Sequence, residues 1–251
     1  MITHLLLDIE GTTCPITFVS SVLFPYAKKQ LKPHLDTNSS DDAVRQLIKD
    51  AWNEWRNDPD PKSQAMLNDS TSEAEDYGNE AIHNYLQHLI SIDRKSTTLK
   101  DLQGRIWKQG YDLGSIQSEL YPETLAALHA WTSAGFTIAV YSSGSVAAQQ
   151  LLYQHTPGGD VRHLFSAWFD TRTGPKKESH SYQSIARELN TPPRSIAFIS
   201  DNKAECDAAE EAGMNTIFSL RNGNPDQSPG HHKVITSLDQ VLDMLKADPK
   251  T

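Results

Sequence analysis

The sequence predicts an α/β protein, with a Rossmann-like doubly wound parallel sheet that is interrupted near its start by an all-helical insertion. Three observations carry this expectation. The first strand candidate, "HLLLDI", has Leu5, Leu6 and Leu7 in succession, which suits a strand covered on both faces. After Pro122, short β-rich runs alternate with helical runs of about ten residues, the texture of a parallel sheet. Between these two regions lies a stretch with helical periodicity only.

The elements follow in order. "EGTTCPI" supplies the glycine and proline punctuation of a loop after the first strand. Val44, Leu47, Ile48, Ala51, Trp52 and Trp55 then fall on one face of a helix, and Ile82, Tyr85, Leu86, Leu89 and Ile90 repeat the spacing. The intervening "NDPDPKSQAMLNDSTSEAED" reads as a polar connector, and "SEAEDYGNEA" as the solvated start of the next helix. A further helix is expected over "STTLKDLQGRIWKQGYDLG". Beyond Pro122 come the helix "ETLAALHAWTSAG", stopped by Gly135, the strand "FTIAVYSS" and the helix "VAAQQLLYQ". "HLFSAWFDT", the helix "SHSYQSIAREL", the strand "SIAFISD", the helix "KAECDAAEEAG" and the strand "NTIFSL" succeed them. "HHKVITSLDQVLDMLK" is expected to close the chain as a helix. The resulting division is a catalytic core over residues 1–17 and 119–251, with a helical cap over 18–118. An excursion of that length is normally functional.

Composition narrows the partners. The 251 residues carry a formal net charge of -9 and no dense Lys/Arg tract, which argues against nucleic acid and anionic membranes. No apolar run approaches a membrane span, and the N-terminus turns acidic too soon for a signal peptide. Cys14 and Cys206 are the only cysteines, so neither a disulfide framework nor a zinc site is suggested. The expectation is a protein of a reducing compartment.

In open parallel sheets, ligands bind beyond the carboxyl ends of the strands. Three predicted strands end in polar groups: Asp8, Ser142 with Ser143, and Asp201. A fourth boundary, "WFDTRTGPKKES", carries Lys176 and Lys177. Taken singly, the acids could start turns, the serines could cap a helix and the lysines could be solvated. Together they furnish what phosphoryl transfer needs: a nucleophile, oxygen ligands for Mg2+, a hydroxyl donor and a cation. Asp8 would attack phosphorus and bind Mg2+ along with Asp201. Ser142 would donate to a phosphate oxygen, and one of the two lysines would supply the positive charge. Glu10, two residues beyond the nucleophile, would protonate the leaving oxygen and then activate water.

"DIEGTT", "YSSGS", "GPKKES" and "ISDNKAE" resemble the four ordered motifs of the haloacid dehalogenase superfamily. The chain departs from the common Asp-x-Asp form of the first motif at Glu10. "LLLDIEGTTCPITFV", with "LKDLQGRIW" in the insertion, resembles one branch, the enolase-phosphatases (acireductone synthases) of methionine salvage. That resemblance implies a HAD-like core with a helical cap and one Mg2+ per subunit. It implies a bifunctional enzyme that enolises 2,3-diketo-5-methylthiopentyl 1-phosphate and then removes its phosphate. It also implies a monomer in the cytoplasm, and in eukaryotes the nucleus as well. Carried over by motif, Asp8 and Asp201 would ligate Mg2+, with residue 10 contributing its backbone carbonyl. Ser142, Ser143 and Lys176 would bind substrate, and Glu205 is the fourth motif's second acid. Asp207 has no role assigned.

The smaller signals have plain readings. Cys14 is expected to be a small apolar filler rather than a nucleophile. His231 and His232, adjacent on a glycine- and proline-rich loop, are expected to be solvated. Phe18, Trp107 and Tyr111 could face a methylthio tail, but core packing is their default role. The rivals are a capped phosphatase for another small metabolite, a phosphoaspartate receiver domain and a non-enzymatic descendant. Glu10 and the long insertion both count against a receiver.

Overall fold

The computed structural model describes residues 1–70, 79–92, 94 and 96–246. The expected helix start over "SEAEDYGNEA" lies largely outside the described residues. In chain order the elements are β1 (His4–Leu7), the short α1 (Ile16–Phe18), a π-helical turn (Val19–Leu23), α2 (Phe24–Thr37), α3 (Asp42–Arg56), α4 (Pro61–Asp69), α5 (Asn79–Ser91) and α6 (Thr97–Asp112). There follow α7 (Thr124–Ser133), β2 (Thr137–Tyr141), α8 (Val146–Gln154), β3 (Ala167–Phe169), α9 (Ser179–Glu188), β4 (Ile196–Ser200), α10 (Lys203–Glu211), β5 (Asn215–Ser219), β6 (Lys233–Ile235) and α11 (Gln240–Lys246). They form two compact units, Met1–Val19 with Gln117–Thr251, and Ser20–Ile116.

The first unit is built on a six-stranded sheet in the order β3-β2-β1-β4-β5-β6, every pairing parallel. The sheet class is the one the sequence predicts. Leu5, Leu6 and Leu7 are fully buried, as are Ile196 to Ile199, because helices cover both faces. One face packs Leu6, Tyr141, Phe169 and Phe198 against Tyr182 and Ile185 of α9 and Ala209 of α10. The first strand is central: Leu7 pairs with Val140 on one side and Ile199 on the other. The strand order therefore reverses at β1, which places the ends of β1, β2 and β4 side by side at a topological switch point. Serine and asparagine caps fix the helices that leave those ends. Ser145 accepts from Ala148 N at 3.3 Å and Asn202 from Glu205 N at 3.3 Å, each contributing about 1 kcal/mol.

Two expectations are corrected. Lys233–Ile235 is an edge strand paired with β5, and only Gln240–Lys246 is helical in the closing segment. The β-branched pair Val234–Ile235 prefers the extended form, and Ile235 is buried there. His232 is not solvated: its side chain is fully covered, with Nδ1 2.8 Å from Thr216 Oγ1 and Nε2 2.9 Å from Asp207 Oδ1. His231 is exposed and pairs with Glu210 at 2.6 Å. Ligand atoms of Asp207, His231 and His232 lie within 4.8 Å of one another, but Lys203 already holds Asp207 at 2.6 Å. Each of the three side chains is thus already engaged by another residue of the protein.

The second unit is all-helical among its described residues. Its core stacks Trp55 on Trp52 (centroids 5.1 Å) and on Tyr85 (4.8 Å). Trp107 and Tyr111 are buried here as well, and Trp107 Nε1 donates to Leu23 O at 2.8 Å. The expected connector contains α4, another correction. Pro61 sits at the first helical position and Asp60 is the cap, accepting from Ser63 N at 2.8 Å, so the proline starts a helix instead of breaking one. Asp58, also in that segment, is buried and satisfied by Arg94 at 3.2 Å, Tyr85 OH at 3.3 Å and Asp60 N at 3.0 Å. Among the described residues, no helix is long and apolar enough to cross a membrane.

Candidate active site

Asp8 follows the last residue of β1, where the strand leaves the sheet with its N–H still bonded to Ile199 O at 2.9 Å. Its side chain is almost wholly buried and fixed by three donors. Ile9 N reaches Oδ1 at 2.8 Å, Lys176 Nζ reaches Oδ1 at 2.7 Å, and Ser200 Oγ reaches Oδ2 at 2.8 Å. The chain then closes a tight turn in which Ile9 O accepts from the N–H groups of Thr12, Thr13 and Cys14, and Gly11 N donates to Cys14 O at 2.8 Å. Gly11 has φ +74, and a Cβ there would collide with the Asp201 carboxylate and come within 2.6 Å of Asn224 Nδ2. Only glycine permits both the left-handed turn and that close approach. Asp201, at the end of β4, thus abuts the β1 turn.

Glu10 projects toward β2, where Ser142 Oγ donates to its Oε2 at 3.3 Å. Ser142 is buried, accepts from Gly144 N at 3.1 Å, and its own N–H bonds Phe169 O at 3.2 Å. Gln149 Nε2 braces the same loop through Gly144 O and Phe169 O, both at 2.8 Å. Ser143 is exposed. Of the two candidate lysines, Lys177 is exposed, whereas Lys176 extends its ammonium between Asp8 and Glu205 Oε2 (2.6 Å). Its loop is held by Tyr182 OH on Lys176 O (2.6 Å) and Tyr141 OH on Gly174 O (2.9 Å). Residues predicted from four distant motifs thus meet: Glu10 with Ser142, and Asp8 with Lys176 and Glu205, while Asp201 abuts the β1 turn. Cys14 is fully buried, and burial raises its thiol pKa, consistent with an inert filler. Phe18 is also buried.

Sequence reasoning missed Ser200. It lies 2.8 Å from Asp8 Oδ2 and 3.1 Å from Glu205 Oε2, and its one proton serves one carboxylate at a time. The available signal was a hydroxyl at the end of the wholly apolar run "IAFI". Also missed were Ser219, Arg221 and Asn224, which bond the far side of the β1 turn and had no recognisable motif.

The charges do not balance. Asp8, Glu10, Asp201 and Glu205 converge on one ammonium. Burial, followed by the charge of Asp8, lifts the Glu10 and Glu205 carboxyls above the usual range and pushes Asp201 up to about 7. On Lys176, burial works against the charged form, but Asp8 and Glu205 outweigh it and raise its pKa. An all-oxygen cluster with surplus negative charge fits a hard divalent cation, which would hold ionised the carboxylates that bind it directly.

Comparison with known proteins gives the family. The family model for haloacid dehalogenase-like hydrolases matches residues 2–213. A curated relative from Prochlorococcus marinus, "Enolase-phosphatase E1", is 52% identical over 98% of this chain and 100% of its own length. A Synechococcus relative of the same name is 51% identical, covering 98% of each chain. Among solved structures, the UTR4 protein of Saccharomyces cerevisiae superimposes with a TM-score of 0.71 at 29% identity, covering 94% of this chain and 98% of that one.

Proposed function

The chain belongs to the haloacid dehalogenase-like hydrolases and, within them, to the enolase-phosphatases, and from that premise we propose how its residues divide the work. The enzyme converts 2,3-diketo-5-methylthiopentyl 1-phosphate to the acireductone 1,2-dihydroxy-3-keto-5-methylthiopentene and phosphate, a step of methionine salvage.

Asp8 is the nucleophile. Lys176 and Ile9 N hold one of its oxygens and Ser200 the other, so the carboxylate is oriented before substrate arrives. Attack forms an Asp8–phosphorus bond and breaks the bond to the substrate oxygen, which takes a proton from Glu10. Glu10, now a carboxylate, removes a proton from water as that water attacks the aspartyl phosphate, releasing phosphate and regenerating Asp8. The raised pKa of Glu10 suits it to carry a proton into the first step. Ser142 orients Glu10 in the free enzyme and turns its hydroxyl to a phosphate oxygen when substrate is bound, with Ser143 beside it. Glu205 keeps Lys176 extended toward the nucleophile.

The cation is Mg2+, held by Asp8, Asp201 and the backbone carbonyl of Glu10. When bound it neutralises phosphate oxygens and stabilises the charge of an enolate. The carbonyls of Ile9, Gly11, Thr12, Thr13 and Cys14 all accept hydrogen bonds within the protein, so the Glu10 carbonyl is the one in that run assigned to the ion. The helical unit serves as a cap. We place the enzyme in the cytoplasm as a monomer; its bacterial relatives lend nothing to a nuclear location.

The observation that carries this assignment is the buried Asp8 carboxylate in contact with Lys176 at the switch point of the sheet. The test is incubation of the purified protein with the diketone phosphate and Mg2+, following phosphate and acireductone absorbance. Both signals should rise with wild-type protein. Asp8→Asn should abolish phosphate release while the fold persists, and wild-type-like turnover by that variant would overturn the assignment.

A further inference from the structure

The turn that carries Glu10 closes on itself, yet its outer edge is also gripped by residues 208 and 213 positions away. Gly11 O accepts from Ser219 Oγ at 3.1 Å and from Asn224 Nδ2 at 3.0 Å. Thr12 O accepts from Arg221 Nη2 at 3.3 Å. Ser219 ends β5, and Arg221 and Asn224 lie in the loop after it. Asn224 is only 6% exposed and Arg221 only 8%.

The grip is itself rigid. The Arg221 guanidinium is fixed by Glu123 at 2.6 Å, by Thr236 O at 2.7 Å and by the face of Tyr121 at 4.2 Å. Gln227 Nε2 ties the loop together through Arg221 O at 3.0 Å and Asn224 O at 2.8 Å. The turn already satisfies its own N–H groups, so these outside donors are not needed to close it. What they add is a fixed position. A Cβ at Gly11 would meet the Asp201 carboxylate and the Asn224 amide alike, so both groups crowd the same glycine.

We propose that Asn224, braced by Arg221, is a positioning residue. It acts through the Gly11 backbone to set the spacing of the groups at positions 8, 10 and 201, and it touches neither substrate nor metal. This rests on the roles assigned above to Asp8, Glu10 and Asp201. A small displacement of a metal ligand or proton donor costs rate with little effect on substrate affinity, because the groups that bind substrate stay in place.

The experiment compares wild type with Asn224→Ala and with Asn224→Asp, which keeps the shape but turns an acceptor toward Gly11 O. Steady-state phosphate release, Mg2+ binding by calorimetry and thermal unfolding are measured for each. Asn224→Ala should lose about 10- to 100-fold in kcat, hold KM within about threefold and bind Mg2+ about tenfold more weakly. Asn224→Asp should lose at least as much kcat as the alanine variant, since shape alone is not the function. An aspartate variant as fast as wild type refutes the proposal. So does an alanine variant with unchanged kcat per folded molecule and unchanged Mg2+ affinity, whatever its melting temperature. If wild type releases no phosphate, the functional reading fails, and the Mg2+ affinities still decide for or against the positioning role.

Discussion

Replacing Lys176 with methionine isolates the electrostatics of the site. The ammonium lies 2.7 Å from Asp8 and 2.6 Å from Glu205, with its side chain 9% exposed, so methionine fills most of the space and removes the charge with its two hydrogen bonds. Two buried carboxylates then face each other without a counter-ion. Removing one partner of a buried ion pair costs about 3–5 kcal/mol. For a unit of this size that is a fall of roughly 6–20 °C in Tm. The loss should depend on pH in a definite direction. Without the ammonium, the Glu205 carboxyl, already raised by burial and Asp8, rises further. The folded variant therefore holds a proton that the unfolded chain has released, so its stability falls as pH rises. One such proton is worth about 2.7 kcal/mol over two pH units. In Mg2+-free buffer the deficit relative to wild type should be larger at pH 8 than at pH 6. Urea or thermal unfolding at both pH values measures it. A deficit below about 1 kcal/mol, or one that grows toward acid, refutes the reasoning.

Three further outcomes are expected. Glu10→Gln should slow phosphate release by about 10²- to 10⁴-fold, the range for loss of a general acid/base, with rapid-quench kinetics showing which half-reaction slows. Gly11→Ala should cost about 1–2 kcal/mol from its left-handed backbone and must push Asp201, Asn224 or the turn aside; a variant with normal Tm and kcat would contradict the crowding at that position. In wild type without Mg2+, the raised Glu10 and Asp201 carboxyls favour proton uptake in the folded state, so stability should decline from about pH 5 to pH 8. Saturating Mg2+ should reduce that slope by holding Asp201 ionised, as unfolding curves with and without chelator will show.

Much of the fold was legible because a buried parallel strand leaves an unmistakable trace. Leu5–Leu7 and Ile196–Ile199 are continuous apolar runs, and the first polar residue after each marks the sheet edge where ligands bind. Asp8, Ser142 and Asp201 could be read for that reason. Lys176 was harder, because a loop lysine looks alike whether solvated or buried, and only the fold brings Asp8 and Glu205 to it. α4 was missed because its segment reads as a polar, proline-containing connector, whereas Pro61 starts a helix there with Asp60 as its cap. β6 was hidden by the helical spacing of its downstream neighbours. The buried side of His232, and the bonds of Asn224 to Gly11, depend on residues so far apart in the chain that no local pattern reports them.

The central place of β1 bears on how the molecule is made. Its four residues are made well before both of its neighbours, the strands Thr137–Tyr141 and Ile196–Ser200. A growing chain must therefore carry the apolar β1 segment unpaired until β2 emerges, and with one edge open until β4 does, while the helical unit between them, rich in local contacts, can fold meanwhile. Nascent chains ending before Ile196 should accordingly be protease-sensitive around His4–Leu7 and prone to chaperone capture.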